Sequence, residues 1–158
     1  MPSVSPFLWF NEGAEEALAL YERVFDDSSV VSVSRRSVSG HEDFMAGTVR
    51  IGDLNLIVFN GGPYGDFKFN ESISLFVTCD DQDEVDRYWN GLSEGGEPHQ
   101  CGWLKDRFGV SWQIVPKLFN ELMSSSDAER RDRVFQAMMK MTKFDCAALQ
   151  NAYDGEKS

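Results

Sequence analysis

Hydrophobic and polar positions along the chain fall into two runs laid out on the same plan. Pro6 to Phe10 (PFLWF) is a short apolar segment with the aromatic weight of a strand. Asn11 stands where a helix N-cap is expected. Glu12 and Glu15 follow in the first turn, where the positive end of the helix dipole favours them. Leu18, Tyr21 and Phe25 then recur at helical spacing, which predicts one buried stripe on a helix stopped by Asp26-Asp27-Ser28. Val31 and Val33 alternate with serines in a half-exposed second strand. After a loop around Gly40, Phe44 to Ile51 reads as a third strand. Gly52-Asp53 is a two-residue hairpin turn into a fourth, Leu54 to Asn60.

A turn-rich connector, Gly61-Gly62-Pro63-Tyr64-Gly65, and the aromatic run Phe67-Lys68-Phe69-Asn70 separate this run from the next. Ser72 to Cys79 alternates as a strand with one face in the core. Asp81-Gln82-Asp83-Glu84 forms a capping box for a helix whose buried stripe is Val85, Tyr88, Trp89 and Leu92. Gly95-Gly96 ends that helix, and a short strand near Glu97 to His99 follows. The run closes on QCGWLKDRFGVSWQIVP: a strand from Cys101 to Lys105, a turn over Asp106 to Gly109, and a strand from Ser111 to Val115 stopped by Pro116.

Both runs therefore read strand, helix, three strands. A shift of 67 lays Leu8 on Leu75, Phe10 on Val77, Leu18 on Val85, Tyr21 on Tyr88 and Phe25 on Leu92. A shift of 57 in the closing hairpins lays Gly52 on Gly109, Ile57 on Ile114 and Val58 on Val115. The predicted fold is α+β: tandem βαβββ repeats forming a curved mixed-sheet cup, with a C-terminal helical extension. The boundaries are 1–60 for the first module, 61–71 for a linker, 72–116 for the second module and 117–158 for the tail, the two modules making one domain. In the tail, Lys117 to Met123 reads as a short helix. Ser126 to Glu129 caps a second helix with Val134, Met138 and Met141 on one stripe, and Asp145 caps a third with Leu149 and Tyr153. The end, Gly155 to Ser158, reads as frayed.

Composition narrows the function classes. A net charge of −11 leaves no basic face for nucleic acid. No run reaches the eighteen or so apolar residues of a membrane helix, and the N-terminus lacks the pattern of a secretory signal. Three widely spaced cysteines, Cys79, Cys101 and Cys146, suit a reducing cytoplasm better than a disulfide framework.

The motifs FLWFNEGAEEALALYERVF, FNGGP, FKFNESISLFVTC, CGWLKDRFGVSWQIVP and MMKMTKFDCAAL resemble the PhnB-like branch of the vicinal-oxygen-chelate (glyoxalase/bleomycin-resistance) superfamily. Members of this branch are often labelled 3-demethylubiquinone-9 3-methyltransferase-like. The resemblance covers nearly the whole chain and implies two repeated units around a cup, with a homodimer as the commonest assembly. The methyltransferase label finds no support in the residues. Gly61-Gly62-Pro63 leads into an aromatic run and not into the helix that a nucleotide-binding glycine turn requires.

Metal-dependent members of the superfamily carry His, Glu or Gln at four inward positions, which map near Ser5 (or, one residue to either side, Val4 or Pro6), Leu56, Ser72 and Gln113. None of the four is His, Asp or Glu. One carboxamide and two serines make a poor site for a divalent ion, so no metal or other cofactor is expected. The two histidines, His41 and His99, read as exposed loop residues. Strand alternation from Gln113 brings Ser111 and Val115 inward. Leu56, Val58 and Asn60 are expected inward, as are Ser72, Ser74 and Phe76, together with Phe7 and Trp9. These aromatic residues either line a small-molecule pocket or fill the cup. The expected ligand wall is Trp9, Asn60, Ser74, Phe76 and Gln113, although Asn60 and Asn70 also suit turn capping. Asp106 reads as structural, Lys105 as a lone exposed cation, and Cys101 as a small core residue of its strand. The sequence thus points to a small-molecule-binding protein without a catalytic metal. The alternative is a metal-dependent lyase, isomerase or dioxygenase of the same superfamily.

Overall fold

The computed structural model describes residues 1–38 and 41–156, except for the side chains of residues 38 and 41–43. The expected loop at Gly40, the side chain of His41 and the last two residues lie outside this range. The chain forms two compact units, Met1–Lys68 and Phe69–Ser158.

In the first unit the order is β1 (Phe7–Phe10), α1 (Ala14–Val24), β2 (Ser28–Val38), β3 (His41–Ile51) and β4 (Leu54–Asn60). The sheet runs β1-β4-β3-β2, with β1 parallel to β4 and the other pairs antiparallel. Helix α1 starts later than Asn11 predicts. Gly13 takes a left-handed φ of 84° at the N-cap, and the helix begins at Ala14. A side chain from elsewhere in the unit supplies the cap: Asn60 Oδ1 accepts from the Ala14 N–H at 3.1 Å. The helix buries Ala14, Ala17, Leu18, Leu20, Tyr21 and Val24 on the sheet. A Cβ added at Gly47 would stand 3.1 Å from Leu18, so the glycine lets α1 approach β3 closely.

The second unit repeats the plan with β5 (Leu75–Cys79), α2 (Gln82–Ser93), β6 (Glu97–Pro98), β7 (Trp103–Lys105) and β8 (Ser111–Pro116). Its sheet order is β5-β8-β7-β6, and β5 is parallel to β8. Asp81 caps α2 by accepting from the Glu84 N–H, and Glu84 accepts in turn from the Asp80 N–H. The predicted stripe of Val85, Tyr88, Trp89 and Leu92 is buried. Strand β5 begins at Leu75 and not Ser72, which leaves Ile73 exposed. Likewise Cys101 is not in a strand. It takes a left-handed φ of 59° in the turn before β7, and Gly102 follows at 79°.

That turn receives the tail, whose helices are α3 (Lys117–Met123), α4 (Ala128–Met138) and α5 (Cys146–Asp154). The N–H groups of Cys101 and Gly102 donate to the carbonyls of Met141 and Thr142, each at 2.8 Å. A Cβ at Gly102 would meet the Phe144 ring at 2.4 Å. Gln82 fastens the same segment, donating to Phe144 O and accepting from the Cys146 N–H. Helices α4 and α5 carry the predicted caps Asp127 and Asp145, and Val134, Met138 and Leu149 are buried. Gly155 is ordered as the left-handed C-cap of α5.

One sequence-based registration is corrected. Trp9 pairs with Phe59, while Phe76, its equivalent at a shift of 67, pairs with Gln113. The closing strands are therefore related by 113 − 59 = 54 and not by 57. The β3–β4 hairpin turns in two residues, 52–53, whereas β7–β8 needs five, 106–110. The two turns differ by three residues, so an offset that keeps β3 and β7 in face does not keep β4 and β8 in face. Because three is odd and side chains alternate along a strand, aligning the two glycines assigns β4 to the wrong face.

Candidate functional site

The face of the first sheet that α1 does not cover is aromatic. Leu8, Phe10, Met45, Val49, Leu56 and Val58 are buried on the helix side. Leu56, Val58 and Asn60 thus point away from the face on which Trp9 lies, contrary to the alternation expected above. Phe7 and Trp9 instead share their face with Ile57 and Phe59. Trp9 meets Phe59 edge to face at 4.9 Å and 85°, and Phe7 lies 5.5 Å from Phe59. Phe44 stacks on Phe59 at 5.9 Å.

The connector folds back onto this face, which sequence reasoning treated only as a linker. Trp9 Nε1–H donates to Gly62 O at 3.1 Å, and Tyr64 and Phe67 come within 6.2 and 5.6 Å of the Trp9 ring. A Cβ at Gly61 would lie 2.4 Å from Trp9 and 2.5 Å from Phe59, so only glycine lets the chain turn against that corner. The aromatic run after a double glycine was the available signal. Phe7, Tyr64 and Phe67 remain 55%, 73% and 49% exposed.

The matching face of the second sheet carries Phe76, Thr78, Gln113 and Trp103, with Leu75, Val77, Trp112, Ile114 and Leu104 on the α2 side. Here the predicted alternation holds. Gln113 Nε2–H donates to Ser74 Oγ at 2.9 Å, and Phe76 is 52% exposed. The Ser111 hydroxyl is buried without a hydrogen-bond partner in the protein. Lys105 is not a lone cation: it pairs with Glu71 at 2.5 Å, and this bond holds Glu71 below and Lys105 above their ordinary ranges.

The reactive candidates are otherwise engaged. Asp106 is buried; Oδ1 accepts from the N–H groups of Phe108 and Val110, and Oδ2 accepts from Trp112 Nε1–H at 2.9 Å. It organises the five-residue turn. Burial pushes the Cys79 thiol up to about 12 and raises Cys146 as well, which disfavours the thiolate that a nucleophile needs. His99 lies 3.6 Å from Glu97 at the surface. Among the described residues no three His, Cys, Asp or Glu side chains gather to hold a metal ion. Leu56 is buried under α1, and the corrected register puts Phe59 in the place equivalent to Gln113. These residues do not fit a divalent ion, which needs ionised oxygen or imidazole donors.

The family model for 3-demethylubiquinone-9 3-methyltransferase matches residues 2–115. The chain belongs to this family. Its fold is that of a putative 3-demethylubiquinone-9 3-methyltransferase, the PhnB protein from Bacillus cereus. That structure is 30% identical with a TM-score of 0.67, over 73% of this chain and 99% of that one. Protein PA1353 from Pseudomonas aeruginosa is 21% identical with a TM-score of 0.65, over 73% and 98%. The fosfomycin resistance protein FosX from Listeria monocytogenes shares the fold at 14% identity and a TM-score of 0.50, over 70% and 87%. No curated protein sequence matches the chain. The fold is the glyoxalase type, α+β with two open four-stranded mixed sheets and C-terminal helices. Among the described residues no helix is long and apolar enough to cross a membrane. The family's methyltransferase name finds no counterpart in this geometry, because the chain runs from Gly61 to Ser74 without the helix of a glycine-rich nucleotide turn.

Proposed function

We propose that this chain binds a small, partly apolar molecule and does so without a catalytic metal. The observation that carries the reading is the aromatic face of the first sheet. Phe7, Trp9 and Phe59 stand together there, and the connector brings Tyr64 and Phe67 up to them with ring surface still exposed. Burying such surface against a guest yields roughly 25 cal/mol per Å², and sparse polar groups then fix orientation. Taken by itself, the second unit carries its own face with Phe76, Ser74 and Gln113, to which we assign contact roles there. Asn60 is assigned to capping α1, since its carboxamide oxygen is already taken by the Ala14 N–H. We further read the protein as a homodimer, a matter for light scattering.

Two measurements test the reading. In a thermal-shift screen with probes of different shape and charge, 2-naphthol, 3,3-dimethyl-1-butanol and choline, at least one should raise the melting temperature, by an amount that follows RT ln(1 + [L]/Kd), or about 2.7 kcal/mol at a hundredfold excess over Kd. The shift should vanish in Trp9→Leu. Elemental mass spectrometry after dialysis against nickel, zinc and manganese should find far less than one ion per chain. One retained ion, lost in Gln113→Ala, would replace this reading with a metal-dependent lyase, isomerase or dioxygenase.

A further inference from the structure

Resting on that reading, we infer that the aromatic face of the first unit selects an organic cation, a methylated ammonium group, over a neutral guest of the same shape. The reason is the way the rings around Trp9 are set. Phe59 and Phe67 stand at 85° and 87° to the indole plane, with Tyr64 tilted at 34°. Perpendicular walls beside a ring plane form a corner for a compact, rounded group. A flat aromatic guest would instead want parallel plates.

The polar chemistry of the corner points the same way. The indole N–H is committed to Gly62 O, so Trp9 offers a guest its ring and not its donor. A neutral polar guest would find few hydrogen-bond partners there. The negative face of each ring, however, attracts a cation electrostatically, Trp most strongly, and a methylated ammonium sheds its hydration more readily than Lys does. Trp9, Phe59, Tyr64 and Phe67 carry no cation–π contact among the described residues. In the second unit guanidinium–ring contacts do occur, Arg87 on Tyr88, Arg107 on Phe108 and Arg130 on Tyr153.

Charge complementarity supports the same occupant. Residues 1–68 contain ten Asp and Glu against five Lys and Arg, a net −5. In sequence Asp66 stands between Tyr64 and Phe67, and it is exposed. An exposed carboxylate next to Phe67 in sequence adds to the negative field of the unit, which favours a cation and disfavours an anion. Lys68 is the nearest opposing charge in sequence, so a neutral variant at each of the two positions separates their effects.

The test is a titration of the full chain with choline and with 3,3-dimethyl-1-butanol, its neutral isostere, followed by tryptophan fluorescence and thermal shift, with 2-naphthol in parallel. Choline should bind about tenfold or more tightly than the isostere, within the range expected for desolvated cation–π contacts. Asp66→Asn should weaken choline alone, and Lys68→Gln should not. Phe67→Leu keeps an apolar group at an exposed position and should erase the discrimination while the protein stays folded. Equal binding of choline and isostere, or binding of 2-naphthol without choline, would overturn cation selectivity and leave the small-molecule reading in place. If none of the three perturbs the protein, both readings fall.

Discussion

Two buried polar residues on the second sheet have opposite expected costs. The Asp106 carboxylate accepts from the Phe108 and Val110 N–H groups of its own turn and from the indole N–H of Trp112 on β8. In Asp106→Asn an amide N–H would face either that indole N–H or the backbone donors, so one buried donor is left unpaired. This should destabilise the protein by about 2 kcal/mol, read as a lower urea midpoint with unchanged slope. Ser111 is the converse. Its hydroxyl is buried without a protein partner, so Ser111→Ala removes an unmet polar group and should leave the ligand-free protein as stable or up to about 1 kcal/mol more stable. A loss of 2 kcal/mol there would show that the hydroxyl has a structural partner after all. Asp106 was legible from DRFG as a turn residue, but its bond to Trp112 was not. That contact depends on the turn curling back over its own strand.

At the scale of elements, the join between the tail and the second sheet is the feature most open to test. Three anchors converge on residues 141–146: the N–H groups of Cys101 and Gly102, the side chain of Gln82, and Lys143 bonded to Asp86 at 2.7 Å. Gly102 sits at φ 79° with Phe144 against it, so Gly102→Ala adds both backbone strain and a clash. We expect a loss of about 2–3 kcal/mol, with faster proteolysis in the segment 139–145 than elsewhere. Unchanged protease sensitivity in that segment would mean that Gly102 does not hold the tail. The helices themselves were readable in advance, since α3 runs from Lys117 to Met123 as its pattern predicts. Their attachment was not, because it uses backbone groups of a turn that reads as a plain strand from Cys101 onward.

For the whole molecule the expected response is to acid. Hydrogen bonds from Lys143 and Gln82 hold Asp86 below the usual aspartate range, and Lys105 does the same for Glu71. A carboxylate whose folded value is depressed binds fewer protons folded than unfolded. Its contribution is therefore complete above the ordinary carboxylate range and is lost as pH falls through the depressed value. Both pairs are solvent-screened, so each effect is small and weakens with salt. The stability difference between wild type and Asp86→Asn should be largest near neutrality and shrink toward zero as pH falls below the usual aspartate range. A constant difference across that window would mean that the charge of Asp86 does not matter. The sequence by itself determined the two strand–helix–three-strand units, the helical tail and the buried stripes of both helices, because periodicity of burial is a local property written into residue order. It also determined the alternation of β8, which puts Gln113 on the sheet face away from α2, where it meets Ser74. Tertiary structure alone decided which way β4 faces, because three added residues in a distant hairpin turn invert an alternation that has a period of two. It alone decided that Asn60 caps α1 and that Tyr64 and Phe67 gather at Trp9, since those contacts join residues up to 58 positions apart (67 − 9) through a fold no local pattern encodes.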